Sequence, residues 1–302
     1  MKPADLVRLL SLAAIWGASF LFMRVLVPVI GALPTAFFRV AISAIGLVAI
    51  LALLRVTWDF RGKLGKILLI GVVSSGIPAA MYALAAEVLP AGYSAIFNAT
   101  TPLMGVLIGG LFFGEKLTLP KAAGVLLGLA GVAVLTGAGP VAFDADLLRG
   151  ALACLMATTC YGFAGFFTKR WINDAGGLDS GLSAFGAQAG ATLCLLPIFL
   201  ASSHAMPLAP LAEPGIWLAL AGLGLLCTSF AYVIYFRLIA NVGPVKTMTV
   251  TFLIPLFGVF WGALLLDESL SWAHLQGGVL IALALWLVLR PAVAAVKVEQ
   301  AS

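Results

Sequence analysis

The residues able to do chemistry in this chain are few, and most of them are uncharged. Trp16, Tyr82, Asn98, Thr101, Tyr161, Tyr232 and Thr251 all fall inside long apolar runs. Tyrosine and tryptophan in a bilayer usually mark its two interfaces, which suits Trp58, Trp171, Trp217 and Trp272. Trp16 and Tyr161 instead sit near the middle of their runs. A buried phenol or amide needs a hydrogen-bond partner, so two readings stand side by side. These side chains either line a polar-aromatic pocket for an amphipathic small molecule, or pack helices with an internal hydrogen bond.

The backbone offers a second kind of site. Pro78, Pro102 and Pro255 lie within apolar runs, where a proline removes a donor and clashes with the preceding turn. The carbonyls so freed must be satisfied by protein, water or ligand, and a broken helix at matching places in two halves is a pointer to a transport site. Pro102 is followed thirteen residues later by Glu115 and nine after that by Gly124; Pro255, Glu268 and Gly277 repeat the spacing at an offset of 153. On one helical face, Ser94, Asn98, Pro102, Gly105 and Gly109 correspond to Thr247, Thr251, Pro255, Gly258 and Gly262. The glycines suit close helix packing. Asn98 and Thr251 fit a cavity wall better.

Charged candidates are scarce. Arg39, a few residues from the end of the second run, has three readings: attracting a substrate carboxylate, pairing with Glu87 as a gate, or snorkelling to headgroups. Gln188 reads as an interhelical hydrogen bond. No carboxylate or histidine stands at mid-run, with His204 and His274 both near run ends, so a carboxylate-based proton relay is disfavoured. There is no His-Glu-x-x-His motif, no mid-run histidine to activate a serine and no aspartate cluster. Cys154, Cys160, Cys194 and Cys227 form no Cys-x-x-Cys pair. No metal, cofactor or catalytic group is therefore expected, and an embedded enzyme or a scaffold is the weaker alternative.

The elements that must position these residues follow from composition. The 302 residues are 63% hydrophobic and 10% charged, against about 25% charged in a soluble domain. This is a membrane chain. Runs of spanning length lie at 6–27, 33–54, 66–87, 92–114, 120–138, 148–169, 181–201, 215–238, 245–266 and 272–290. They predict an all-α membrane protein of ten helices. The first run, flanked by Lys2 and Arg8, resembles a signal peptide but is long and lacks a small-residue cleavage site, so it is expected to remain.

Basic residues set the orientation. Lys2, Arg8, Arg55, Arg61, Lys63, Lys66, Lys116, Lys121, Lys169, Arg170, Arg237, Lys246, Arg290 and Lys297 gather on one side, fourteen in all, against Arg24, Arg39 and Arg149 on the other. Both termini are expected to be cytoplasmic. The net charge of +5 is thus a topology signal spread between runs, and nucleic acid is not an expected partner. A further match links Trp16, Gly17, Phe22 and Arg24 to Tyr161, Gly162, Phe167 and Lys169 at an offset of 145. The expected units are 1–140 and 148–290, five helices each and inverted, with a short cytoplasmic tail at 291–302.

The Trp16-Gly17-Ala18-Ser19-Phe20 stretch, Arg39, and the proline-to-glutamate spacing ending in Gly114-Glu115 and Asp267-Glu268 resemble the drug/metabolite transporter superfamily of EamA type. The overall pattern looks most like bacterial exporters of amino acids, of the aromatic amino-acid and paraquat branch. That resemblance implies an inner-membrane exporter working by alternating access. Its central cavity would be lined by helices 1, 3, 4, 6, 8 and 9, with helices 5 and 10 peripheral. Small metabolites, amino acids first, are the implied substrates, and amphipathic or cationic drugs the alternative. Because the inverted halves complete a pathway within one chain, a monomer or weak homo-oligomer is expected.

Overall fold

The computed structural model describes residues 2–115, 118–138, 141–202, 209–242, 247 and 250–289. Lys116, His204, Lys246, Arg290, Lys297 and the 291–302 tail lie outside the described residues. Among the described residues the chain is helical throughout and holds no strand.

The described helices are taken in chain order, contiguous segments together. They are α1 Pro3–Ile30, α2 Ala32–Leu53, α3 Leu64–Val88, α4 Ala91–Phe112 and α5 Leu119–Ala138. The rest are α6 Ala145–Asn173, α7 Ser180–Ser202, α8 formed by Pro214–Ala221, Gly222–Phe230 and Ala231–Val242, α9 Val250–Leu266 and α10 Trp272–Leu289. Seven are long and apolar enough to cross a membrane: α1 to α4 and α6 to α8. The apolar stretches of α5, α9 and α10 within the described residues are shorter.

Packing follows a regular scheme. α5 lies on α10, α2 on α7, and α1 on α9 just as α6 lies on the second half of α4. α3 packs on α6 and α7, and α8 packs on α1 and α2. Close approach is bought by small residues, as membrane helices require. A Cβ on Gly71 of α3 would stand 2.0 Å from the Ala187 carbonyl oxygen, and one on Gly190 of α7 equally close to that of Leu68. Here two backbones touch.

Three stretches wind more loosely than an α-helix, as π-helix: Val72–Gly76 in α3, Lys169–Asn173 ending α6, and Gly222–Phe230 in α8. The first immediately precedes Pro78, whose missing amide and bulky ring disturb the turn before it. The α8 stretch has no proline. There Thr228 Oγ1 donates to the Leu223 carbonyl at 2.9 Å and Ser229 Oγ to that of Gly224 at 3.2 Å, each reaching five residues back. These hydroxyls take carbonyls that a regular helix would bond by its backbone.

Helix α4 is interrupted. Residues 91–98 and 101–112 are helical, with Ala99 and Thr100 forming a turn between them and Pro102 in the first turn of the second half. α9 departs from the expectation for Pro255. That proline stands inside a helix continuous from Val250 to Leu266, so the break belongs to α4 alone within the described residues. A proline interrupts a helix only where the freed carbonyls find other partners, and in α4 Thr100 Oγ1 and Thr101 Oγ1 supply them at Phe97 and Asn98, 2.8 and 2.7 Å away.

The two helix ends carrying the glutamates match closely. Gly114 and Asp267 both adopt positive φ, +67° and +51°, and the amides of Glu115 and Glu268 bond back to the carbonyls of Gly109 and Gly262. Left-handed residues of this kind terminate helices.

Candidate functional site

A cavity of about 340 Å³ lies among the helices. All seven residues proposed from the sequence as pocket-lining, Trp16, Tyr82, Asn98, Thr101, Tyr161, Tyr232 and Thr251, contribute to its wall. They come from α1, α3, α4, α6, α8 and α9. Arg39 of α2 and Gln188 of α7 complete it, so eight helices contribute and only α5 and α10 stand aside.

The wall is organised by local interactions. Tyr82 Oη donates to Asn98 Oδ1 at 2.9 Å, tying α3 to the end of the first half of α4. Phe20 meets Tyr82 edge-on at 5.4 Å, and Tyr161 lies 6.4 Å from Tyr82 in a stacked orientation. Trp16 and Tyr235 pack at 5.5 Å. Aromatic pairs at these separations favour offset or edge-to-face geometry, which keeps the wall rigid. Gln188, fully buried, donates to Ser75 Oγ at 2.9 Å. That bond fulfils the interhelical role expected of it.

Several lining residues escaped the sequence reading. Ser74, Ser75, Cys227 and Thr228 reach the cavity from the two π-helical stretches, which re-aim side chains by adding a residue to the turn. A Ser-Ser pair before Pro78 and the Gly-x-Gly run before Thr228 were the available signals. Tyr235 also lines the cavity, whereas Tyr93 does not; it accepts the Val141 amide at 3.4 Å and packs on His274. Ser94 faces the Cys154 thiol, and Ser19 Oγ, beside the Cys227 thiol, has no partner of full hydrogen-bond geometry among the described residues.

The proposed pair of Arg39 with Glu87 does not form. Glu87 lies 3.5 Å from Arg149 of α6, because both stand where α3 and α6 pack, while Arg39 turns inward. Its Nη1 is 3.6 Å from Met23 Sδ. Arg39 lines the cavity together with Tyr82, Tyr161 and Tyr232. Pro78 opens the α-helical part of α3 just after the π turn, and Pro255 faces a separate apolar groove with Leu256, Leu275 and Val279.

Charges sit elsewhere. Asp5, which the sequence inventory passed over, is buried between Arg8 at 2.7 Å and Asn241 at 2.9 Å, joining α1 to α8. Glu268 accepts the Ala91 amide at 2.7 Å and that of Gly92 at 3.3 Å, and near it α9 closes on α4 with Gly258 against Ala95 and Val259 against Gly92. Among the described residues no group of histidines, cysteines or carboxylates has metal-binding geometry, and no carboxylate or histidine lines the cavity.

The sequence relationships decide what kind of protein holds this cavity. The profile of the EamA-like transporter family matches residues 6–137 and again 148–290. The chain belongs to that family. Among EamA-like relatives, the Bacillus subtilis transporter YoaV is 24% identical over 280 residues, covering 92% of this chain and 94% of YoaV. The Escherichia coli inner membrane transporter YedA is 26% identical, with 87% of this chain and 83% of YedA covered. A probable terminal-alkyne amino-acid exporter of Streptantibioticus cattleyicolor is 28% identical over 167 residues, 55% of this chain and 53% of that protein. One solved crystal structure shares the fold at a TM-score of 0.59 and 19% identity, covering 95% of this chain and 96% of its own.

Proposed function

We propose that the protein is a multi-pass inner-membrane exporter of small metabolites, amino acids foremost, that works by alternating access through the cavity between α1, α3, α4, α6, α8 and α9. The observation that carries this reading is the convergence of seven scattered uncharged residues on one cavity. Each stands within an otherwise apolar helix, and polar groups at such depth mark substrate pathways more often than chance packing.

The architecture that goes with it is ten spans in two inverted five-helix halves, 1–140 and 148–290, with both termini cytoplasmic. Support comes from the paired packing scheme, in which α1 on α9 repeats as α6 on α4, and from the matched helix ends at Gly114-Glu115 and Asp267-Glu268. The fourteen-to-three distribution of basic residues sets the orientation. In that orientation the closure of α9 on α4 near Glu268 lies at the outer face. Among the described residues no carboxylate or histidine lines the cavity, which favours transport driven by the substrate gradient or membrane potential over direct proton coupling.

The test is flux of a labelled amino-acid panel in proteoliposomes, with Tyr82→Ala, Asn98→Ala and Tyr161→Ala alongside the parent protein. The reading expects flux for at least one compound and its loss in the variants. No flux for any compound contradicts the exporter reading; unchanged flux in all three variants contradicts the site.

A further inference from the structure

We propose that Arg39 makes the cavity selective for small molecules bearing a carboxylate, and that an ammonium group on the substrate is not required. The inference rests on the reading of the cavity as the transport site and names its substrate class.

Arg39 is a half-buried cation in a wall that is otherwise neutral. Its hydrogen bond runs to Met23 Sδ, and a thioether is a weak acceptor. Among the described residues no carboxylate ion-pairs with it, and Glu87, Glu268 and Asp5 have partners of their own. Glu87 faces Arg149, Glu268 holds the amides of Ala91 and Gly92, and Asp5 is taken by Arg8 and Asn241. A guanidinium in a low-dielectric site is costly without a counter-charge. The missing negative charge is one that a ligand supplies, and the planar fork of arginine matches a carboxylate bidentately.

The rest of the wall shows what the carboxylate is attached to. Trp16, Phe20 and Tyr235 bring aromatic surface to the wall for an apolar body, and Asn98, Ser19 and Tyr161 add neutral polar groups. Among the described residues no acid lines the cavity to receive an ammonium group. A volume near 340 Å³ lies at the small end of ligand pockets, about 300–1,000 Å³. The occupant is therefore a compact aryl or alkyl carboxylate. A primary amine of the same skeleton meets the unneutralised charge of Arg39, and a zwitterion gains from its carboxylate alone.

The experiment uses the full-length protein in neutral-lipid proteoliposomes and three probes of one skeleton: labelled N-acetylphenylalanine, phenylalanine and 2-phenylethylamine, each corrected for leak through protein-free vesicles. The expected order is N-acetylphenylalanine equal to or above phenylalanine, with 2-phenylethylamine at least about tenfold lower. Arg39→Gln is expected to lower carboxylate flux about tenfold or more, while Arg39→Lys keeps the maximal rate and raises KM severalfold. Amine flux equal to that of N-acetylphenylalanine, or carboxylate flux unchanged by Arg39→Gln, overturns the proposal. Thermal stabilisation by each probe separates this inference from the transport reading. If no probe is carried but N-acetylphenylalanine raises the Tm of the parent protein, less that of Arg39→Lys and not that of Arg39→Gln, the transport reading fails and the carboxylate assignment stands. Stabilisation by 2-phenylethylamine alone overturns the assignment even where Arg39→Gln does not fold.

Discussion

Glu268, on the segment after α9, accepts the backbone amide of Ala91 at the start of α4, 177 positions earlier in the chain. Pro90 precedes that helix and offers no side-chain cap, so the carboxylate meets two amides that lack an intrahelical partner. Its negative charge also suits the positive end of the helix dipole. The repeat mate Glu115 instead lies 4.0 Å from Lys121.

Glu268→Gln should therefore lower stability by about 1 kcal/mol, read as a fall in Tm of the purified protein. A Cβ on Gly262 would stand 2.2 Å from Glu268 Oε2, so Gly262→Ala should displace the same carboxylate. The two losses should not add in the double variant, since they remove one interaction. Full additivity would mean that Gly262 acts independently of Glu268.

Gly71 and Gly190 allow α3 and α7 to touch backbone to backbone. A methyl at either place meets a carbonyl oxygen, which cannot rotate away as a side chain does. Gly71→Ala and Gly190→Ala should each cost more than about 3 kcal/mol or abolish folding. Gly165→Ala, with nothing within 4 Å of its added Cβ, should be neutral or stabilising by up to about 1 kcal/mol. Thermal unfolding in detergent distinguishes these outcomes.

Tyr82→Phe keeps the ring against Phe20 and Tyr161 but leaves Asn98 Oδ1 without its donor. The expected cost in stability is about 1 kcal/mol, because cavity water can replace the phenol. The effect on transport should be larger, as a severalfold rise in KM, since the Asn98 amide loses its fixed orientation. A parent-like KM would show that this bond serves packing alone.

If the carried species is a monoanion and no proton accompanies it, outward movement is electrogenic. An inside-negative potential of 100 mV favours exit by about 2.3 kcal/mol per charge, roughly fiftyfold in the equilibrium ratio. Imposing that potential with potassium and valinomycin should drive accumulation of N-acetylphenylalanine on the positive side, and collapsing a pH gradient should leave it unchanged. Accumulation that follows the pH gradient instead would place a proton in the cycle.

Much of the site was legible because polar and aromatic residues inside apolar runs are rare enough to stand out. Trp16, Tyr82, Asn98, Tyr161 and Tyr232 needed no structure to be noticed, only one to be brought together. The π-helical stretch of α8 was hidden because it goes with hydroxyls reaching carbonyls five residues back, at Thr228 and Ser229, a pattern that leaves helical periodicity nearly intact. Pro255 misled because a proline's effect on a helix is set by what its neighbours can satisfy, not by its presence. Arg39 was recognised as unusual, yet its direction depends on which partner claims Glu87, and Arg149 does so from a helix more than sixty residues away in sequence from Glu87.

The central claim is that substrate passes through this cavity. Thr101→Cys, in a background with Cys154, Cys160, Cys194 and Cys227 replaced, places one small thiol in the cavity wall. Counterflow of labelled phenylalanine or N-acetylphenylalanine should be blocked by a bulky thiol reagent, and excess substrate should slow the modification. Undiminished counterflow after complete labelling of that cysteine would contradict the account.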